Sequence, residues 1–189
     1  MSKVLFLDID RVLQPESSQE RFKHIDDIDS LYKKLFDTYG IDYSVYFRYD
    51  VAAVYYDWNK QSVAELKRIL ETTGAKIVVS SDWRLDPAPN MLLDFFKIHG
   101  LDKYFAGSTP KSISDYKKSI YKDQHIYDSR SMAILEYLEE HPEIEKWISV
   151  GDLPLYHNYN NRFKDTGVVT YVTGLERNVA SKCIEILNS

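Results

Sequence analysis

Two aspartates, Asp8 and Asp10, follow directly on the apolar run Val4-Leu5-Phe6-Leu7. Side chains two apart on a strand point to the same side, so this spacing sets two carboxylates roughly side by side at the end of a buried strand. Like charges that close repel unless a cation lies between them or one keeps a proton. The arrangement costs stability and therefore marks a site. Two later apolar runs also end in polar groups: Lys76 to Val79 runs into Ser80 and Ser81, and "KWISVGD" runs into Gly151 and Asp152. Gathered on one rim, Asp8, Asp10 and Asp152 make a hard, oxygen-rich pocket suited to Mg²⁺. Ser80 offers a hydroxyl that, with nearby backbone N–H groups, can hold an anion. A cation is needed to offset a bound phosphate and the acids. Arg130, just ahead of a helical segment, is the first candidate and Lys111 the second.

The elements that must position these groups are legible as periodicities. Residues 3–9, 76–79, 146–152 and 167–172 read as buried strands, with a short further strand near 104–107. Helical spacing covers 28–39, 59–73, 90–99, 131–140 and 176–187, with Gly40, Gly74 and Gly100 as stops for the first three. Segment 14–27 reads as a loop. "IDYSVYFRYDVAAVYYDW" is rich in β-branched and aromatic residues and reads as either strand-like or an irregular aromatic flap. Strands alternating with helices predict an α/β fold, a Rossmann-like three-layer parallel sheet covered on both faces, with the ligand outside the carboxyl ends of the strands.

The bulk properties set limits. A length of 189 residues allows one ordinary core, and 44% hydrophobic residues with mixed charge exclude a disordered chain. No apolar run approaches the ~18–20 residues that cross a bilayer, and no secretory signal is legible, so the expectation is a soluble, cytoplasmic protein or one exported by a signal-independent route. The formal net charge of -5, without a dense Lys/Arg block, argues against extended duplex binding. The single cysteine, Cys183, reads as a small core residue. The histidines show no ligand spacing, which argues against zinc.

"FLDIDRVL" resembles the first motif of the haloacid dehalogenase-like (HAD) phosphohydrolase superfamily, and "IVVSSDWR" its second. Arg130 stands where the third-motif cation precedes a helix, and "ISVGD" resembles the fourth-motif acid. More narrowly, Ser-Ser-x-Trp-Arg and "VTGL" at 172–175 resemble a HAD branch associated with RNA-repair proteins. The resemblance implies Asp8 as nucleophile forming an aspartyl-phosphate. It implies Asp10 as general acid and then base, and Ser80 and Arg130 as holders of the equatorial phosphate oxygens. Mg²⁺ would be held by Asp8, Asp152 and the Asp10 backbone carbonyl. Arg11, Ser81 and Arg84 are candidate substrate contacts, with Arg84 leaning to a salt bridge and Trp83 to packing. Two departures stand out: Arg11 occupies a position that is commonly Gly, and Asp152 is the one clear fourth-motif acid.

The chain is then one HAD-like domain over 1–189 with a small tyrosine-rich cap insert at 14–58, between the first and second motifs. Much of the chain's unusual complement of 15 tyrosines is crowded there. Aromatic side chains over a phosphate pocket can stack on a planar leaving group, or they can form the insert's own core. The leading expectation is a Mg²⁺-dependent phosphomonoesterase acting on a phosphoprotein, as phosphotyrosine, or on another aryl phosphate. A nucleic-acid end or nucleotide phosphatase, and a catalytically weak scaffold binding a protein partner, stand beside it.

Overall fold

In the computed structural model, residues 2–124, 128–155, 162–170 and 172–189 are described. The first strand, β1 (Ser2–Leu7), runs along the middle of a parallel sheet because its residues are apolar on both faces: Leu5, Phe6 and Leu7 have no exposure. Leu5 and Leu7 pack into one cluster and Val4 and Phe6 into another, which is how a single strand serves two helical layers. A helical insert follows: α1 (Arg21–His24), a 3-10 turn at Ile25–Asp27, α2 (Ile28–Tyr39), a 3-10 turn at Tyr43–Val45, α3 (Arg48–Ala52) and a π-helical turn at Ala53–Asp57. The chain then enters α4 (Lys60–Thr73), β2 (Lys76–Val79), a 3-10 turn at Asp82–Leu85, α5 (Met91–Ile98), a 3-10 turn at Asp102–Tyr104 and β3 (Phe105–Ser108). It closes with α6 (Asp115–Asp123), α7 (Ser129–Glu140), β4 (Ile144–Gly151), β5 (Gly167–Val169) and α8 (Arg177–Asn188).

All strand pairs are parallel, in the order β3-β2-β1-β4-β5. Leu7 lies level with Val79 on one side and Val150 on the other. The ladder continues one step further, through Asp8 N–H to the Val150 carbonyl (2.9 Å) and Ser80 N–H to the Leu7 carbonyl (2.9 Å). The three polar strand tips are therefore held on one rim. The Rossmann-like α/β core is the fold that the alternating pattern predicts, and the helical insertion falls between the first and second strands, where the resemblance implies a cap.

The helices begin and end where local chemistry directs. Asn59 caps α4 by accepting from the N–H groups of Gln61 (2.8 Å) and Ser62 (3.0 Å), and left-handed Gly74 ends it. Cys183 is fully buried on α8, where burial pushes its thiol up to about 12.

Four segments differ from the sequence expectation. Segment 14–27 holds a short helix and a 3-10 turn. The aromatic stretch 41–58 is helical, neither strand nor irregular flap. Its β-forming composition is overridden because Val51, Ala52, Val54 and Trp58 pack into the same core cluster as β1. The tyrosines fasten this insert to α5: Tyr39 donates to the Ile98 carbonyl (3.1 Å), Tyr43 to the Asp94 carbonyl (2.8 Å) and Tyr46 to the Asp94 carboxylate (2.5 Å). The expected loop before Arg130 contains α6, capped by Ser114, and Arg130 itself lies inside the first turn of α7. The last strand is short, ending at Val169; the part of its expected span at Tyr171 lies outside the described residues.

Gly174 lies at the seam between the first-motif loop and α4. Its φ is +96°, and a Cβ there would come within 2.7 Å of Ser62 Oγ and 3.0 Å of the Val12 carbonyl oxygen. Gly174→Ala is expected to lower the unfolding free energy by about 1–3 kcal/mol, read from the shift of the urea midpoint.

Candidate active site

Asp8 is almost completely buried at the tip of the central strand. Its carboxylate accepts from the Ile9 N–H (2.9 Å) and is ion-paired with Arg130 through Oδ2 and Nη1. Burial pushes the Asp8 carboxyl above the usual carboxylate range; the Arg130 guanidinium, the Ser81 hydroxyl and the Ile9 N–H pull it back. Arg130 reaches Asp8 because α7 starts beside the strand tips. Asp128 caps that helix, accepting from the N–H groups of Arg130 (3.2 Å) and Ser131 (2.9 Å). The same Arg130 Nη1 lies 3.9 Å from Asp152 Oδ1. Asp8 and Asp152, from adjacent strand tips, thus face a single cationic nitrogen.

Gly151 makes this approach possible. A Cβ at that position would sit 3.2 Å from Asp8 Cβ and 3.4 Å from Arg130 Nη1, a tight contact that would press on the ion pair.

Asp10 is exposed by comparison, with its Oδ2 accepting from Trp83 Nε1 at 3.1 Å. Although the residue reaches the surface, its carboxyl is partly desolvated by the surrounding chain, which raises its pKa; the Trp83 hydrogen bond and the Arg130 charge lower it, and Asp152 raises it further. Between Asp10 and the next element the backbone folds into a tight turn in which the Ile9 carbonyl accepts from the N–H groups of Val12 (3.2 Å), Leu13 (2.9 Å) and Gln14 (3.2 Å). Arg11 adopts φ +58° in that turn, the left-handed conformation that glycine takes without strain. This is the physical reason a glycine suits the position. The Arg11 side chain lies between Asp152 (3.3 Å) and Glu16 (3.3 Å) at the surface.

The remaining sequence candidates separate into groups. Ser80 is buried at the β2 tip beside Asp8. The Ser81 hydroxyl is buried without a hydrogen bond of regular geometry, yet lies close enough to Asp8 to favour its ionised form. Arg84 is buried below the rim, where its guanidinium donates to the carbonyls of Ser80 (2.9 Å), Ser81 (2.9 Å) and Pro110 (3.4 Å) and to Asp82 (3.2 Å). In this arrangement it braces the second-motif turn. Lys111 donates to the Asp86 carbonyl at 2.6 Å, whereas Arg130 is the cation that contacts Asp8. Trp83, read as leaning to packing, both packs and bonds Asp10; Asp128, which sets Arg130, carried only the weak sequence signal of an acid ahead of a helix. Part of the fourth-motif segment, residues 156–161, lies outside the described residues.

Among the described residues no group of three or more His, Cys, Asp or Glu side chains is arranged to hold a metal ion. The donor chemistry at the strand tips still fits a hard cation, because two carboxylates already converge on one positive centre. No helix among the described residues is long and apolar enough to cross a membrane.

The parallel α/β core thus carries a buried carboxylate at the tip of its central strand, paired with a guanidinium from a neighbouring helix. Residues 4–180, nearly the whole chain, match the family described as the HAD domain in Swiss Army Knife RNA repair proteins. The protein belongs to that family and so to the HAD-like phosphohydrolase superfamily. Among solved structures, it is similar to a haloacid dehalogenase-like family hydrolase from Streptococcus pneumoniae, with 11% identity, 97% of this chain and 90% of that chain covered, and a TM-score of 0.45. No curated protein sequence matches the chain.

Arg130→Met in metal-free protein is expected to leave the buried Asp8 without its cation and to cost about 3 kcal/mol near neutral pH. Arg130 lowers the Asp8 pKa, so the cost should be full where Asp8 is ionised and fade as falling pH protonates it. Urea titrations in EDTA at several pH values measure this.

Proposed function

We propose that the protein is a Mg²⁺-dependent phosphomonoesterase that works through an aspartyl-phosphate on Asp8. The observation that carries the reading is the buried Asp8 carboxylate paired with Arg130, with the Asp10 carboxyl two residues on and hydrogen-bonded to Trp83.

The Asp8 oxygen attacks phosphorus, and the bond from phosphorus to the leaving oxygen breaks. Asp10, as the neutral acid, gives its proton to that oxygen. Asp10 then takes a proton from the water that attacks the aspartyl-phosphate, releasing inorganic phosphate and restoring both carboxyl groups. Arg130 and the hydroxyls of Ser80 and Ser81 hold phosphate oxygens as charge shifts. Asp8 and Asp152 would hold Mg²⁺, which supplies charge neutralisation between an anionic nucleophile and an anionic substrate.

The substrate class that fits best is an aryl phosphate, as in phosphotyrosine on a protein. A cavity of about 280 Å³ beside Trp83 is lined by Asp50, Asp82, Asp86 and Met91. The indole and Met91 give a planar leaving group something to lie against, while the three acids disfavour a polyanion. The family's description favours a second reading, the terminal phosphate of a nucleic acid.

The test is hydrolysis of p-nitrophenyl phosphate by wild type and Asp8→Asn, with and without Mg²⁺, followed by phosphotyrosyl peptides against 3′- and 5′-phosphorylated oligonucleotides. Turnover is expected to need both Asp8 and Mg²⁺, with a loss of at least about 10³-fold in the variant. Well-folded wild type that turns over none of these substrates at any Mg²⁺ concentration would instead favour a partner-binding scaffold.

A further inference from the structure

Trp83 sits in the 3-10 turn that follows β2, and both ends of its environment are fixed. Its ring packs against Phe95 (centroids 6.1 Å apart) and Trp58 (6.3 Å). The turn beneath it is gathered by Arg84, whose guanidinium binds the Ser80, Ser81 and Pro110 carbonyls. From this anchored position the indole N–H donates to Asp10 Oδ2 at 3.1 Å, and among the described residues no other hydrogen bond reaches the Asp10 carboxyl.

An indole nitrogen is a donor and never an acceptor. Its partner oxygen is therefore best left unprotonated, because the carbonyl oxygen of a neutral carboxyl is a much better acceptor than its hydroxyl. We infer that Trp83 is a positioning residue for proton transfer: it holds Oδ2 as the accepting oxygen, so that the proton of neutral Asp10 resides on Oδ1, free to pass to the leaving oxygen. The same hydrogen bond is available to the carboxylate, so Asp10 need not turn over between its acid and base roles. The run Ser80-Ser81-Asp82-Trp83-Arg84 is on this account one device. Its serines serve the phosphate, its arginine fixes the turn, and its tryptophan aims the acid.

The inference rests on the phosphatase reading, and its consequence depends on the leaving group. A leaving oxygen that departs readily as an anion needs little help from Asp10; a poor one needs the proton delivered in line. Trp83→Phe keeps an aromatic ring against Phe95 and removes the donor.

The experiment measures kcat/KM for a series of substituted phenyl phosphates, from p-nitrophenyl to unsubstituted phenyl, in wild type, Trp83→Phe and Asp10→Asn. The parameter reports the first irreversible step, where the leaving group departs. Trp83→Phe is expected to lose roughly 10- to 100-fold on phenyl phosphate and much less on p-nitrophenyl phosphate. Its dependence on leaving-group basicity should steepen toward that of Asp10→Asn. Turnover of p-nitrophenyl phosphate by the variant also shows that it has folded. A loss of equal size on every substrate, or no loss on any, overturns the positioning role and leaves Trp83 as packing. Wild type inactive on the whole series sinks the phosphatase reading itself, and this inference with it, a result distinct from a uniform loss in the variant.

Discussion

A carboxylate at the end of a central strand has nowhere to go but inward, and much of the described site follows from supplying Asp8 with a counter-charge. Its tip is flanked on both sides by paired strands and covered by helices, so solvent cannot do the work. The charge comes from Arg130, more than a hundred positions away in sequence, which makes the start of α7 part of the site. That start is fixed in turn by the Asp128 cap. The pair also demands room, which explains a residue without a side chain at Gly151. Removing Arg130 would leave Asp8 buried without its partner, an outcome far more costly than the pair's net worth.

The turn after Asp10 is the second constraint. Arg11 is held in a left-handed conformation that disfavours any residue with a Cβ. The conformation persists because its neighbours over-determine it: Thr170 Oγ1 donates to the Arg11 carbonyl (3.0 Å), Leu175 N–H to the Val12 carbonyl (2.9 Å) and Asn59 N–H to the Leu13 carbonyl (2.7 Å). Those three donors come from the end of β5, the segment around Gly174 and the cap of α4. The first-motif loop is thus clamped by both later parts of the chain. The exposed ion pairs of the Arg11 side chain add little by themselves.

What could be read from the sequence was what depends on local pattern. Apolar runs ending in acids and hydroxyls gave the strands and their tips, and glycine stops gave the ends of α2 and α4. Arg130 was legible as a cation ahead of a helical stripe. The stretch from Tyr43 to Asp57 was not, because its composition favours strands while the burial of Val51 and Val54 beneath α2 and α5 decides for helix. Arg84 stood open between a salt bridge and a substrate contact, leaning to the first, because an arginine beside a motif carries no sign of which way it faces; its burial and carbonyl partners became visible only with the turn folded. The same holds for Trp83, whose indole N–H faces Asp10 through a turn that no periodicity describes.

The charges around the rim bear on why such a site would need a metal. Arg130 is already shared between Asp8 and Asp152, and Arg11 between Asp152 and Glu16. Arg21, the next cation that Asp10 feels, is bound to buried Asp57 at 2.6 Å. With Asp10 holding a proton, as the proposed acid role requires, the carboxylates of Asp8, Asp152 and Glu16 face the two guanidiniums of Arg130 and Arg11, and no positive charge is left over. On the proposed reading, a phosphate monoester brings up to two further negative charges to this rim, and the cavity beside Trp83 adds Asp50, Asp82 and Asp86 nearby. The balance can be restored by a cation entering with the phosphate or by Arg130 releasing Asp152 to hold it, and the first leaves the buried Asp8 pair intact. A divalent ion held by oxygen ligands is the economical solution. The proposed metal dependence thus rests on this chain's own charge arrangement as well as on its superfamily.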